Sequence, residues 1–171
     1  MIIRTEEIKD YPDVYALNYE AFGGRADESR LIERIRKSEF FLPELSIVAE
    51  AGGRLVGYIL LSKANIVDEK KNHEVIVLAP IAVKPELQRT GIGGELIREG
   101  LRRCRDLGFS LVFLIGHPEY YPKFGFKPAR HYQLELRQFE VPDEVFMVRE
   151  LIEGALKNMK GELQYPDAFV C

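Results

Sequence analysis

The sequence predicts a mixed α/β fold, a sheet flanked by helices, and three observations carry that prediction. Apolar, β-branched runs at 45–50, 54–61, 75–83 and 111–115 read as strands. Segments beginning near 10, 27 and 92 repeat apolar residues at helical spacing. A glycine-rich stretch, Gly91-Ile92-Gly93-Gly94, lies where the strand ending Ile81-Ala82-Val83 gives way to a helix.

Ile2-Ile3-Arg4 is the first expected strand. Asp10 is placed to cap a helix that has Pro12 in its first turn. Val14, Leu17 and Ala21 line one face of that helix until Gly23-Gly24 ends it. Asp27 begins a second helix, with Leu31, Ile32 and Ile35 inward and charges elsewhere. Leu45–Glu50 and Arg54–Leu61 form a hairpin about Gly52-Gly53, and Val75–Val83 is the third strand of the same sheet. In the helix after the glycines, Ile92, Leu96, Ile97, Leu101 and Cys104 share one side, and Gly108 supplies the stop. Leu111–Ile115 reads as a buried strand parallel to its predecessor. Glu144–Leu151 reads as a late strand, whereas Gly154–Cys171, with Tyr165-Pro166, carries no decisive pattern.

At 171 residues the chain suits one domain with a proper core, and no repeat or linker marks an internal boundary. A net charge of −3 argues against a nucleic-acid binder, because phosphate backbones demand a basic surface. The basic run Arg102-Arg103-Cys104-Arg105 reads as a helix end, where cations complement the dipole. The start, Met1-Ile2-Ile3-Arg4-Thr5, lacks a signal peptide's apolar core, and no stretch approaches a bilayer span. Cys104 and Cys171 form neither a metal spacing nor a disulfide framework. No metal, nucleic-acid or membrane partner is expected, and the cytoplasm is the default location.

The glycine stretch carries the chemistry. The first amides of a helix lack partners inside it, and the helix dipole places positive charge there. Glycines let those amides approach an anion with no Cβ in the way, which makes a cradle for phosphate or pyrophosphate. A tight turn accounts for a lone Gly-x-Gly equally well. Two known phosphate loops are excluded. Glu95 follows Gly94 where a P-loop needs lysine, and Leu96 stands where the dinucleotide fingerprint needs its third glycine.

What remains is Gln88-Arg89-Thr90-Gly91-Ile92-Gly93 after an apolar strand, and it resembles the coenzyme A loop of the GNAT superfamily of N-acetyltransferases. A second segment, Tyr120-Tyr121-Pro122-Lys123-Phe124-Gly125-Phe126, adds to the likeness, since these enzymes commonly carry a tyrosine four residues before Gly-Phe. Gly116-His117-Pro118-Glu119-Tyr120-Tyr121 is similar to a poorly characterised branch of predicted N-acetyltransferases. The resemblance covers about residues 2–151 and leaves 152–171 as an extension. It implies a mixed, mostly antiparallel sheet and acetyl-CoA as cosubstrate. It also implies that backbone groups of Ile81 and Val83, with Ala82 between them, pair with the pantetheine arm. The amides of Arg89, Thr90, Gly91, Ile92, Gly93 and Gly94 would then surround the pyrophosphate, aided by the side chains of Gln88 and Arg89.

For the leaving thiolate the resemblance implies Tyr121 as acid, with Tyr120 as fallback; packing on Phe124 or Phe126 is the plainer role for Tyr121. A phenol near pKa 10 protonates a thiolate near 8.5 at a cost of about 2 kcal/mol. No base is evident. Some family members place a glutamate in the strand after the glycine-loop helix, but here that strand is Leu111-Val112-Phe113-Leu114-Ile115. The asparagine often found before the tyrosine is missing as well. Glu20, Glu74, His117 and Glu119 are the alternatives. Two functional classes follow: an N-acetyltransferase acting on a primary amine of a small molecule or protein, or an acyl-CoA-binding sensor without catalysis. The acceptor is not legible, and a homodimer is left open.

Overall fold

The structure, a computed structural model, describes residues 1–170 and divides them into two units. The first comprises Met1–Ser62 and Ala79–Arg103. It contains β1 (Ile2–Thr5), α1 (Tyr11–Ala21), α2 (Asp27–Arg36) and β2 (Ser46–Ala51). It also holds the start of β3 (Arg54–Asp68), the end of β4 (Lys71–Val83) and most of α3 (Ile92–Asp106). Strand β1 pairs antiparallel with β2, from Ile2↔Glu50 to Thr5↔Ile47, and β2 pairs antiparallel with β3. The β2–β3 turn is closed by Gly52 and Gly53 at φ of 58° and 77°, the left-handed region such hairpins require.

Asp10 does not cap α1 as expected. Its carboxylate is held by the Arg4 guanidinium at 2.7 and 3.0 Å and accepts from the Glu7 N–H at 2.8 Å. A bidentate charged partner outcompetes a weak cap, and it keeps the Asp10 carboxyl below the usual carboxylate range. Val14 and Leu17 of α1 and Ile32 and Ile35 of α2 are buried, and Ser29 Oγ donates to the Tyr15 carbonyl across the helix pair.

Helix α3 lies on the β3 face that carries Gly57, Ile59 and Leu61. A Cβ built at Gly57 would sit 2.9 Å from both Ile92 Cγ2 and Leu96 Cδ1, and one at Gly100 would sit 2.7 Å from Leu61 Cδ1. Glycine on each partner therefore lets helix and strand approach more closely than alanine would allow.

The second unit comprises Lys63–Leu78 and the chain from Cys104 onward. Its further strands are β5 (Leu111–Ile115), β6 (Lys127–Pro128), β7 (Leu134–Glu135), β8 (Phe146–Glu150) and β9 (Gly161–Gln164). Strand β5 runs parallel to β4 through Ile76↔Val112 and Val77↔Phe113, as expected, and antiparallel to β8. The core gathers Ala64, Ile66, Val75, Val77, Leu111, Phe113, Phe146 and Val148, with Phe113 stacked on Phe146 at 5.9 Å. The class is the mixed, mostly antiparallel sheet with three helices that was expected.

Strands β3 and β4 are longer than the sequence suggests. Past Ser62, buried Ala64 and Ile66 alternate with half-buried Lys63, Asn65 and Val67, a pattern that polar residues disguise. The segment 154–170 is not featureless. Its β9 pairs with β3 through Asn65↔Gln164 to Val67↔Glu162, and Tyr165 enters the core. Gln138 holds Tyr165 in place: its Nε2 donates to the Tyr165 carbonyl at 3.1 Å, and its Oε1 accepts from the Tyr165 N–H at 2.7 Å. Cys104 is a buried thiol whose pKa burial pushes up to about 12; Cys171 lies outside the described residues.

Candidate functional site

The glycine junction is built by strand, turn and helix in sequence. At the end of β4, Ala82 is buried while Ile81 and Val83 are half-buried, the alternation of a strand edge. The Lys84 N–H donates to the Val56 carbonyl at 2.9 Å and fixes where β4 ends. A single turn, Pro85–Leu87, reverses the chain; Thr90 Oγ1 donates to the Leu87 carbonyl, and Gln88 Nε2 reaches back to the Val83 carbonyl at 3.3 Å. Arg89 adopts φ of 67° and Gly91 of 96°, so two left-handed residues within three turn the backbone into α3.

The Glu95 N–H donates to the Gly91 carbonyl at 3.1 Å and closes the first turn of α3. The amides of Ile92, Gly93 and Gly94, one turn earlier, have no carbonyl of the helix to bond. A Cβ built at Gly91 would meet no heavy atom within 4 Å, so the protein leaves open space there. Gln88, Arg89, Thr90 and Gly91 are exposed. Helix-start amides without helical partners and the positive end of a helix dipole are features that favour an anionic group.

In the second unit, the segment after β5 places Tyr121. The Gly116 N–H donates to the Val145 carbonyl at 2.9 Å, and the Tyr120 and Tyr121 N–H groups donate to the His117 carbonyl at 3.2 and 3.4 Å. A short helix, Tyr121–Phe124, then ends at Gly125 with φ of 85°. The Tyr121 ring stands edge-on to Tyr120 at 5.1 Å and to Phe126 at 5.8 Å. Burial, and secondarily Tyr120, pushes its phenol up to about 12. A phenol so shifted keeps its proton near neutral pH and is able to donate a hydrogen bond.

The sequence profile of the Acetyltransferase (GNAT) family matches residues 11–126. The chain belongs to that family. A relative described as an uncharacterized N-acetyltransferase, YjhQ of Escherichia coli K12, is 36% identical over 135 residues, 79% of this chain and 74% of that protein. A second, YhbS of the same strain, is 29% identical over 99% of this chain and 98% of its own length. The crystal structure of E. coli YhbS in complex with CoA superposes with a TM-score of 0.91 at 28% identity, covering 99% of this chain and 92% of that one. A GNAT acetyltransferase from Brucella melitensis in complex with acetyl-CoA gives 0.79 at 28% identity, over 98% and 97%.

The GNAT match covers both the glycine junction and the tyrosine segment. All ten residues expected at the cofactor, Ile81 to Val83 and Gln88 to Gly94, lie along the continuous β4–turn–α3 path of the first unit. Tyr121 belongs to the second. Of the four alternatives for a base, Glu20 is exposed on α1, Glu74 is exposed on β4 with its carboxylate 3.5 Å from Lys63 Nζ, and His117 and Glu119 are exposed in the turn after β5. Among the described residues no three His, Cys, Asp or Glu side chains gather as metal ligands would, and no helix is long and apolar enough to cross a membrane.

Two glycine contacts near the tyrosine carried no sequence signal. Gly116 lies against the Tyr121 ring, and Gly125 lies under the Arg149 guanidinium, where a Cβ would be 2.7 Å from Nε. Both contacts join residues that no spacing rule relates.

Proposed function

We propose that this GNAT enzyme transfers an acetyl group from acetyl-CoA to a primary amine of a small molecule or protein. The observation that carries the reading is the open junction at Gly91, with its left-handed backbone and unfilled space at the head of α3. The amides from Arg89 to Gly94 hold the pyrophosphate, and the backbone of Ile81 and Val83, flanking Ala82, pairs with the pantetheine arm. Gln88 and Arg89 add side-chain contacts. The Val83 carbonyl already accepts from Gln88, so it offers its second lone pair or exchanges partners.

When bound, acetyl-CoA supplies an activated thioester. Tyr121 donates a hydrogen bond to sulfur as the thioester C–S bond breaks. Its raised pKa refines that role. Against a thiol near 8.5, a phenol near 12 transfers its proton at a cost of about 5 kcal/mol, so the chief contribution is a hydrogen bond to the developing thiolate. The attacking amine must be neutral, and an amine of pKa near 10.4 meets that condition about once in 2,500 at pH 7. Since the four alternatives for a base are exposed, we assign the amine's proton to water.

The reading treats residues 1–171 as one acetyltransferase domain, located in the cytoplasm. It is tested by incubating the protein with acetyl-CoA and an amine library and detecting products by mass spectrometry. Acetylated product supports it. Tight acetyl-CoA binding with no product from any amine leaves the sensor in its place.

A further inference from the structure

We infer that Gly116 is a positioning residue for Tyr121: the absence of a side chain at 116 lets the tyrosine ring stand where its hydroxyl serves the leaving thiolate. The inference rests on the reading of Tyr121 as the donor.

Gly116 is not needed for its backbone. Positive φ occurs at nine other glycines among the described residues and not at this one, so alanine suits the local conformation. The requirement is steric. A Cβ at 116 would fall deep inside van der Waals contact with Tyr121 Cε2, 3.0 Å from Tyr121 Cδ2 and 3.2 Å from Leu114 Cδ1.

Neither partner has an easy retreat. The backbone at 116 is pinned to Val145, one residue past the Ile115↔Phe146 pair of β5 and β8. The Tyr121 backbone is tied to the His117 carbonyl, and Leu114 is buried. Tyr120 and Phe126 stand edge-on to the ring, and Phe126 is only 2% exposed. The remaining response is a tilt of the ring. Cε2 is bonded to the carbon that bears the hydroxyl, so restoring ordinary contact displaces the oxygen by about 1 Å, a misplacement that can cost about 100-fold in rate.

The test compares the full-length parent, Gly116→Ala, Tyr121→Phe and the double variant. Transfer from acetyl-CoA to lysine, n-butylamine and a free peptide N-terminus is followed by mass spectrometry, with calorimetric acetyl-CoA binding alongside. The expected result is a ten-fold or greater loss of kcat in each single variant, acetyl-CoA affinity within three-fold of the parent, and a double variant no slower than Tyr121→Phe. Aromatic NMR of Gly116→Ala should show the Tyr121 ring signals moved and those of Tyr165 unmoved. An unchanged kcat in Gly116→Ala, unmoved Tyr121 signals, or an equal loss from Gly116→Ala in the Tyr121→Phe background overturns the inference and leaves the donor reading intact. An unchanged kcat in Tyr121→Phe, or no product from the parent with any amine, overturns the donor reading and the inference with it. Should Gly116→Ala fail to fold, Gly116→Ala/Phe126→Leu gives the ring room to retreat; full activity in that variant likewise overturns the inference.

Discussion

Substituting alanine at Gly91 separates backbone strain from ligand recognition, because the molecule contains its own control. Gly91 has φ of 96° and Gly108, at the other end of α3, has φ of 92°; a Cβ at either meets nothing within 4 Å. Each alanine therefore carries the left-handed penalty alone, about 1–2 kcal/mol. At about 2–4 °C per kcal/mol for a chain of this size, both variants should melt about 2–8 °C below the parent without ligand. Only Gly91→Ala puts a methyl group into the approach to the cradle. Loss of one charge-assisted amide contact, about 2 kcal/mol, weakens acetyl-CoA about 30-fold. At 100 times the parental Kd, acetyl-CoA stabilises the parent and Gly108→Ala by about 2.7 kcal/mol but Gly91→Ala by only about 0.9 kcal/mol. Thermal melts with and without acetyl-CoA, supported by calorimetry, read the difference. If Gly91→Ala keeps the full ligand-induced shift, or Gly108→Ala loses as much, the cradle is not at the head of α3.

Tyr121→Phe keeps the contacts with Tyr120 and Phe126 while deleting the hydroxyl, so kcat should fall ten-fold or more with acetyl-CoA affinity nearly unchanged; equal losses in folding or binding would mark the ring as packing alone. Activity should rise with pH toward the acceptor's own pKa, and none of Glu20→Gln, Glu74→Gln, Glu119→Gln or His117→Ala should abolish it. A pH profile with a lower plateau, removed by one of those changes, would reveal a committed base. Arg4→Met should cost about 2 kcal/mol at pH 7 by leaving the buried Asp10 carboxylate without its guanidinium partner and with the Glu7 N–H as its remaining donor. Because Asp10 has a depressed pKa when folded, the stability it contributes is present above its ordinary pKa and lost as pH falls through the depressed one. Chemical denaturation at several pH values should therefore show the gap between parent and variant closing in acid.

Elements whose burial follows one clean period were legible. The Ile92, Leu96, Ile97 and Leu101 stripe specifies α3, and the unbroken Leu111–Leu114 run specifies a strand covered on both faces. The outer arm of β3 was not, since Lys63, Asn65 and Asp68 interrupt it and its partner β9 lies nearly a hundred residues on. Strand β9 buries only Leu163, so no alternation marks it. Asp10 misled for a related reason: cap chemistry is local, but Arg4 was the stronger partner. At the candidate site, the strand–turn–helix junction is sequence-contiguous and was therefore readable. The Gly116–Tyr121 contact closes across a turn, and the Gly125–Arg149 contact crosses between elements; neither has a sequence signature.

The close seating of α3 on β3 through Gly57 and Gly100 bears on how such a chain diverges. A methyl group at either position would force Ile92, Leu96 or Leu61 to shift, so the height of the helix above the strand is tied to those two glycines and the side chains that face them. Gln88, Arg89 and Thr90, by contrast, are exposed at the rim of the turn, where exchanges disturb only the local bonds to the Val83 and Leu87 carbonyls and the left-handed backbone at Arg89. If the proposed cradle holds the pyrophosphate, mutation of the rim retunes how firmly it grips the anion while the depth of the cradle stays constant. Descendants of this chain are free to drift in affinity at the surface, and are held to one backbone geometry by two hydrogens where side chains would be.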